Sequence, residues 1–187
     1  MTKKSIVPLA VATLIGFPLL GFIIHFFVFD TPFFSLFISK TNLALEFLVG
    51  VGSGLCFGYV GWQIISMKFM HPVFTKYQAL VKNFEMDTNL IFFVSFCAGF
   101  GEEVFFRGVL QPIIGIWVTA ILFVAIHGYL NPKDWRISIY GIYLTLVIVV
   151  IGYFNENFGL TSAIISHMII DVILFFKLYK VETKKLS

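Results

Sequence analysis

Six ionisable side chains lie inside strongly apolar stretches of this sequence, where a charge needs a partner. On membrane-insertion scales a formal charge at the centre of a lipid bilayer costs about 2.5–3.5 kcal/mol, so the four formally charged members together cost on the order of 10 kcal/mol if unpaired. Acids and imidazoles that converge in one pocket can activate a water molecule and stabilise the oxyanion it generates. The six residues are Glu102, Glu103, Arg107, His127, His167 and Asp171.

Helical spacing divides these residues into two groups. Glu103 and Arg107 are four positions apart, so they share a helix face and can form an ion pair. Glu102 is rotated by about 100° from its neighbour and is left without a local partner. His167 and Asp171 are also four positions apart, on a different apolar segment. The spacing therefore predicts a structural ion pair, Glu103 with Arg107, and a candidate catalytic set, Glu102, His127, His167 and Asp171.

The composition indicates an integral membrane protein. The chain has 187 residues, of which 59% are hydrophobic and only 12% are charged, far from the usage of soluble domains. Cys56 and Cys97 both lie in apolar segments and predict no disulfide framework. No basic face interleaved with aromatic residues lies outside these segments, so nucleic acid is not an expected partner. We expect one membrane domain over 1–187. Its N-terminal part, 5–87, contains two spans and a cytoplasmic loop, and its core is 88–178.

Six segments approach the roughly 20 apolar residues that a transmembrane helix needs. We therefore predict an all-α, polytopic bundle of about six transmembrane helices. The N-terminal apolar run is too long for the core of a signal peptide and is interpreted as the first span. The predicted spans are about 5–29, 41–67, 88–113, 115–130, 137–153 and 159–177.

Loop charges predict the orientation of the bundle. If both ends of the chain are cytoplasmic, eleven of the 13 basic residues face the cytoplasm, and only Lys40 lies outside, with Arg107 embedded. Such an asymmetry follows the positive-inside rule. We expect a multi-pass protein of a cell membrane, the bacterial cytoplasmic membrane. The inner set is Lys3, Lys4, Lys68, Lys76, Lys82, Lys133, Arg136, Lys177, Lys180, Lys184 and Lys185.

Straight spans, however, would not bring the acid and the first histidine together. Glu102 would lie about 14 residues, roughly 21 Å, from the inner end of its helix, whereas His127 would lie about three residues from the inner end of its own. Either Gly99 and Gly101 allow the third segment to bend, or the predicted boundaries are wrong by a turn or more.

Three motifs in this order resemble those of a known family. The sequence EEVFFR has the Glu-Glu-x-x-x-Arg signature, Phe123 and His127 fit Phe-x-x-x-His, and His167 with Asp171 fits His-x-x-x-Asn/Asp. Over roughly 88–178 the chain resembles the CPBP family of intramembrane proteases. This family includes CAAX prenyl endopeptidases and bacteriocin-processing or immunity proteins.

The resemblance implies an α-helical membrane peptidase. In it the counterpart of Glu102, helped by that of His127, polarises the attacking water, and His167 and Asp171 contact the developing oxyanion. The prenyl endopeptidases end the third motif in Asn, whose amide can donate, whereas an ionised Asp171 can only accept. We therefore expect Asp171 to orient His167 or to keep it protonated. The resemblance does not imply specificity for prenylated substrates.

The sequence leaves open whether the protein depends on a metal ion. Members of the family are described both as metalloproteases and as metal-independent glutamate proteases. No His-Glu-x-x-His pair is present on one helix, so an ordinary zincin site is absent. Glu102, His127 and His167 could still supply three ligands to a catalytic zinc or other divalent metal with an open fourth position. We favour the version without a cofactor.

Three functions are compatible with the embedded residues. The first is an intramembrane endopeptidase that hydrolyses a peptide bond of a membrane-associated peptide or protein substrate, with the lipid bilayer as its other partner. The second is a non-catalytic scaffold or bacteriocin-immunity type protein that keeps the motif for structure. The third is a proton or ion pathway, which ranks last because no polar path leading outward is predicted.

Overall fold

The computed structural model describes the backbone of residues 3–180 and the side chains of residues 6–180, and within these limits it contains helices and no strand. The predicted all-α fold is thus confirmed. Lys3, Lys4, Lys184 and Lys185, which contribute to the predicted orientation, lie outside the described side chains. Short 3-10 turns cover Phe33–Phe37 and Lys68–Met70. The helices are α1 (Lys3–Val28), α2 (Leu43–Ile65), α3 (His71–Asn83), α4 (Thr88–Ile114), α5 (Ile116–Ile126), α6 (Trp135–Asn157) and α7 (Leu160–Lys180).

Five of the helices, α1, α2, α4, α6 and α7, are long and apolar enough to cross a membrane. The predicted polytopic bundle is therefore confirmed, but one predicted span is wrong. The fourth, 115–130, forms only the 11-residue α5, about 16 Å long at 1.5 Å per residue, or half of a hydrocarbon core of about 30 Å. The fifth is longer than predicted, since α6 has 23 residues.

Polar caps and glycines mark the ends of the helices. The side chains of Asn42, Asp87 and Asp134 accept hydrogen bonds from backbone N–H groups in the first turns of α2, α4 and α6, which satisfies donors that a helix start leaves unpaired. Gly115, at φ 82°, separates α4 from α5. We call the end of the bundle that holds Gly115 and the α6–α7 turn the outer end, after the predicted orientation.

Glycines allow α2 to lie directly against α7. A Cβ atom at Gly54 would be 2.7 Å from the Cβ of Ile169 and 2.9 Å from the carbonyl oxygen of Ser166, and Gly50 and Gly58 meet α7 in a similar way. Such small residues are typical of close helix packing in membranes. Because lipid tails are as apolar as the helix surfaces, this close fit is a main source of association between the two helices.

Gly99 and Gly101 likewise serve packing rather than bending. A Cβ atom at Gly99 would be 3.0 Å from the backbone nitrogen of Met168 on α7, and one at Gly101 would overlap the carbonyl of Thr13 on α1. The segment Thr88–Phe105 that contains both is α-helical throughout. Helix α4 is therefore held between α1 and α7, and the proposed bend at these glycines is wrong.

Glu102 and His127 lie at the same depth when both are measured from the outer turn. Gly115 lies thirteen residues after Glu102 and twelve residues before His127, so both are about 18–20 Å along their helices from the same outer turn. Because α5 ends at Ile126 and does not reach the inner end of the bundle, His127 follows it at the depth of Glu102. The alternative of incorrect boundaries is the right one.

We expect Gly54→Ala to lower the free energy of unfolding by roughly 1–3 kcal/mol, because the added methyl group must push α7 away from α2. Gly52→Ala is the matched control, since Gly52 lies two residues away on the same helix with nothing within 4 Å of an added Cβ. Thermal unfolding of the detergent-solubilised protein measures both. Equal effects of the two variants would contradict the described helix contact.

Candidate active site

Glu102 and His127 meet between α4 and the end of α5. The distance from Glu102 Oε2 to His127 Nε2 is 3.5 Å, and His127 Nδ1 is 2.6 Å from the carbonyl oxygen of Phe123. A carbonyl oxygen only accepts hydrogen bonds, so Nδ1 carries the proton that is donated to it. In a neutral ring, Nε2 then presents its lone pair toward Glu102.

One carboxylate oxygen of Glu102 accepts no hydrogen bond from the described part of the chain. Oε2 is buried, and no residue in the described part of the chain forms a hydrogen bond with it. A buried polar atom without a hydrogen bond costs about 1–3 kcal/mol, and more when it is charged. The Nε2 atom of His127, at 3.5 Å, is at the limit of hydrogen-bond distance, so Glu102 keeps an acceptor available beside the imidazole.

The aromatic ring of Phe123 holds both imidazoles. It stacks on His127 at a centroid distance of 4.5 Å and meets His167 edge-on at 5.7 Å. The Arg107 guanidinium lies 5.9 Å from the centre of the same ring. Phe123 therefore contributes to the site by packing, and its backbone carbonyl fixes the tautomer of His127.

Glu103 binds two partners at once. Its Oε2 accepts a hydrogen bond from Arg107 Nε at 2.9 Å, and its Oε1 accepts one from His167 Nδ1 at 2.8 Å. The side chains of Glu103 and Arg107 are fully buried. The predicted spacing of the ion pair is thus present. The contact with His167 was missed, because nothing in the sequence relates residues 64 positions apart.

His167 is oriented by Glu103 more directly than by Asp171. The Nε2 atom of His167 is 3.6 Å from Asp171 Oδ2, which is longer than a hydrogen bond. The expectation that Asp171 orients His167 or keeps it protonated stays a prediction, and the hydrogen bond that His167 donates goes to Glu103. With Nδ1 bound to Glu103, Nε2 is the nitrogen left to face the cavity.

The four candidate catalytic residues line one cavity of about 250 Å³. Its other walls are mostly apolar and come from α5, α6 and α7. A second, almost entirely apolar cavity of about 400 Å³ lies between α1, α3, α4 and α7, and His127, Tyr129, Tyr140 and Asp171 line both. At its inner end, burial raises the pKa of Tyr77 on α3 above its usual 10, so this hydroxyl stays neutral.

Metal binding stays a prediction from the sequence. Among the described residues, no three His, Cys, Asp or Glu side chains are grouped as the ligands of a metal ion. The ligand set considered from the sequence, Glu102, His127 and His167, is thus not present as such a group. No step of the chemistry below passes through a metal.

Hydrogen bonds continue from the ion pair toward the outer end. Arg107 Nη1 donates to Gln111 Oε1 at 3.3 Å, and Gln111 Nε2 donates to the carbonyl oxygen of Gly152 and to Glu156 Oε1, both at 3.1 Å. The expectation that no polar path leads outward is therefore wrong. Gln111 was not singled out, although an amide within the apolar run VLQPII is a detectable signal.

Comparison with known proteins confirms the family resemblance over part of the chain. Residues 85–173 match the family described as Type II CAAX prenyl endopeptidase Rce1-like, and this segment contains all six embedded residues. A protein of Bacillus subtilis (strain 168) named Uncharacterized protein YpbD is 35% identical over 84 residues, which are 44% of this chain and 42% of that protein. The match thus spans less than half of the relative's length. No solved structure matches.

We expect Arg107→Met to lower the free energy of unfolding by about 3–5 kcal/mol, because Glu103 would remain buried without its cation. The double variant Glu103→Gln/Arg107→Met should lose less than the sum of the single losses, since it leaves no buried charge unpaired. Denaturant or thermal unfolding in detergent measures this coupling.

Arg136→Met is the control, because Arg136 lies at the inner end and is partly exposed. If Arg107→Met unfolds no more easily than Arg136→Met, the buried pair does not stabilise the bundle.

Proposed function

With the family match of residues 85–173 as the premise, we propose that this protein is an intramembrane endopeptidase of the glutamate type. A water molecule activated by Glu102 and His127 hydrolyses a peptide bond of a membrane-associated substrate. The observation that carries this proposal is the position of Glu102 Oε2. This atom is buried without a hydrogen bond from the described part of the chain and lies 3.5 Å from His127 Nε2, in a cavity that His167 and Asp171 also line.

The two acceptors are suited to hold the two hydrogens of one water molecule. In the deprotonated state Glu102 Oε2 accepts, and His127 Nε2 accepts because its Nδ1 proton is donated to Phe123. A water that donates to both has its oxygen lone pairs directed away from them, toward the cavity. That arrangement aligns the nucleophile before the substrate enters.

The chemical step follows from this arrangement. The water oxygen forms a bond to the carbonyl carbon while its proton passes to Glu102, and the carbonyl becomes a tetrahedral oxyanion. Collapse of this intermediate breaks the bond between carbon and nitrogen, and the proton is returned to the leaving amine. His127 shares the proton with Glu102 and positions the water.

His167 is the group best suited to stabilise the oxyanion. The carboxylate of Glu103, which is bound to His167 Nδ1, favours the doubly protonated imidazole. The Nε2–H group of His167 can then donate a hydrogen bond toward the cavity. Asp171, 3.6 Å from Nε2, adds further negative charge on the same side. Its part in the proposal is to favour the imidazolium, because a carboxylate cannot donate to an oxyanion.

The surroundings support a substrate that is itself in the membrane. The protein is a multi-pass membrane protein, and we propose the bacterial cytoplasmic membrane as its location. The cavity walls and the adjoining apolar cavity would accept an apolar segment of a peptide or protein. Nucleic acid has no place in this proposal.

The alternative of a non-catalytic scaffold or immunity-type protein makes a different use of the same residues. A scaffold requires the contacts of Glu103, since the one with Arg107 neutralises its charge within α4 and the one with His167 joins α4 to α7. It has no use for Glu102 Oε2, because a buried oxygen without a hydrogen bond is destabilising. The lack of a hydrogen bond to this oxygen from the described part of the chain therefore favours the enzyme.

We expect Glu102→Gln to abolish proteolysis without unfolding the protein, because the amide keeps the size of the side chain but cannot take the proton from water. Membranes are prepared from bacterial cells that produce either the wild-type chain or the variant at equal levels. New peptide termini are then compared by mass spectrometry. A set of termini that only the wild-type chain generates is the expected result.

Glu46→Gln is the matched control, because Glu46 is likewise a buried glutamate but lies on α2 at the outer end, away from the cavity. It should generate the wild-type termini. Identical termini from the wild-type chain and Glu102→Gln would rule out the glutamate mechanism and favour the scaffold.

A further inference from the structure

We propose that Gln111 is a positioning residue of the site and that Glu156 holds it from the outer end of the bundle. The inference rests on the proposed hydrolytic function. Gln111 fixes the guanidinium of Arg107, Arg107 fixes the carboxylate of Glu103, and Glu103 fixes the ring of His167. Neither Gln111 nor Glu156 belongs to the three motifs or to the cavity wall.

Every polar atom of the Gln111 side chain is committed to this arrangement. Oε1 accepts from Arg107, and Nε2 donates both to the backbone of Gly152 and to Glu156. The side chain is 2% exposed. Gly152 leaves the space it needs, because a Cβ atom there would lie 2.8 Å from Gln111 Oε1. A buried amide with both ends engaged has one stable orientation.

Arg107 depends on these contacts for its own orientation. Its Nε bonds to Glu103 and its Nη1 to Gln111, whereas Nη2 has no hydrogen-bond partner in the described part of the chain. Two contacts therefore fix the plane of the guanidinium, and one of them is Gln111. Removal of that contact frees the plane to rotate about the bond to Glu103.

A π-helical turn brings these residues together. Phe106–Leu110 is π-helical within α4, and the backbone N–H of Gln111 donates to the carbonyl oxygen of Phe106, five residues earlier. Such wide turns are rare and are frequently found at functional sites. Here the turn begins next to Arg107 and ends at Gln111, so it sets the relative position of the two side chains.

The backbone that carries Glu156, at the outer end of this series of hydrogen bonds, is itself held in place. The ammonium group of Lys40 donates to the carbonyl oxygens of Asn155, at 3.0 Å, and Glu156, at 3.4 Å. A cation at this end of α6 is favoured because the last carbonyls of a helix carry partial negative charge. The Asn155 amide also donates to the carbonyl oxygen of Arg107 at 3.4 Å. The exposed Glu156 therefore extends from a fixed backbone.

Proton conduction does not explain these hydrogen bonds. A path from His167 to the outer surface would pass through Arg107, and a guanidinium is not deprotonated in proteins. Gln111 has no titratable proton either. The connection can transmit orientation but not protons, so the ion pathway considered from the sequence gains no support from it.

The test compares Gln111→Leu with Gln78→Leu in the full chain in lipid nanodiscs. Gln78 is also 2% exposed, and it bonds to the backbone of α7 away from the cavity. With ring nitrogens labelled by ¹⁵N, the His167 Nδ1–H signal should broaden and exchange faster with water in Gln111→Leu and stay as in the wild type in Gln78→Leu. This measurement needs no substrate, so its outcome is independent of whether proteolysis is found.

Kinetics distinguish positioning from stability. The probe is an internally quenched peptide that spans the most abundant terminus dependent on Glu102. Gln111→Leu should lower kcat by about tenfold, since a small misplacement of a reacting group is costly, with KM changed less than about twofold. Gln111→Glu should also lose activity because two carboxylates then face each other, and Gln111→Glu/Glu156→Gln should recover much of it.

Glu156→Ala is the second variant, to be used if Gln111→Leu does not fold. Glu156 is exposed, so its substitution leaves the packing of the core unchanged. It should shift the His167 signal in the same direction by a smaller amount. If the His167 signals of Glu156→Ala and of every folded Gln111 variant equal those of the wild type, the proposal is wrong. Wild-type kcat in the folded Gln111→Leu variant would also overturn it.

Discussion

The structure depends on how one buried carboxylate is neutralised. Glu103 is fully buried and has one oxygen on Arg107 of its own helix and the other on His167 of α7. A carboxylate at this depth without both partners would oppose insertion of α4. Because each oxygen has a different task, the same residue joins two helices and orients an imidazole at the cavity. Its neighbour Glu102, rotated away on the helix, lines the cavity beside His127.

The second constraint is depth, which the turn at Gly115 satisfies. His127 follows Gly115 by twelve residues and Glu102 precedes it by thirteen, so the two lie at the same depth on neighbouring helices. The imidazole therefore lies beside the acid, directly after the last residue of α5. Gly99 and Gly101 allow α7 and α1 to pack closely against α4, which fixes the position of α4 in the bundle. The position of the two side chains is thus a consequence of the turn at Gly115 and of the glycines at the helix contacts.

The sequence was sufficient for the helical membrane fold and for the pairs on one helix. Spacing of four residues relates Glu103 to Arg107, and the motifs indicate the family. It was not sufficient for contacts between helices. The bond of Glu103 to His167, the hydrogen bonds of Gln111 and the end of α5 at Ile126 all depend on how helices pack, and hydropathy does not report this. The boundary of α5 was missed because the run after it, HGYL, is still partly apolar.

The central claim is that Glu102 and His127 hold one water molecule between them. The most direct measurement is a high-resolution crystal structure of the wild-type protein grown from a lipid phase. It should contain an ordered water within about 3 Å of both Glu102 Oε2 and His127 Nε2, open to the cavity lined by His167. If the two side chains are separated by packed hydrocarbon, with no water in reach of both, the account is contradicted.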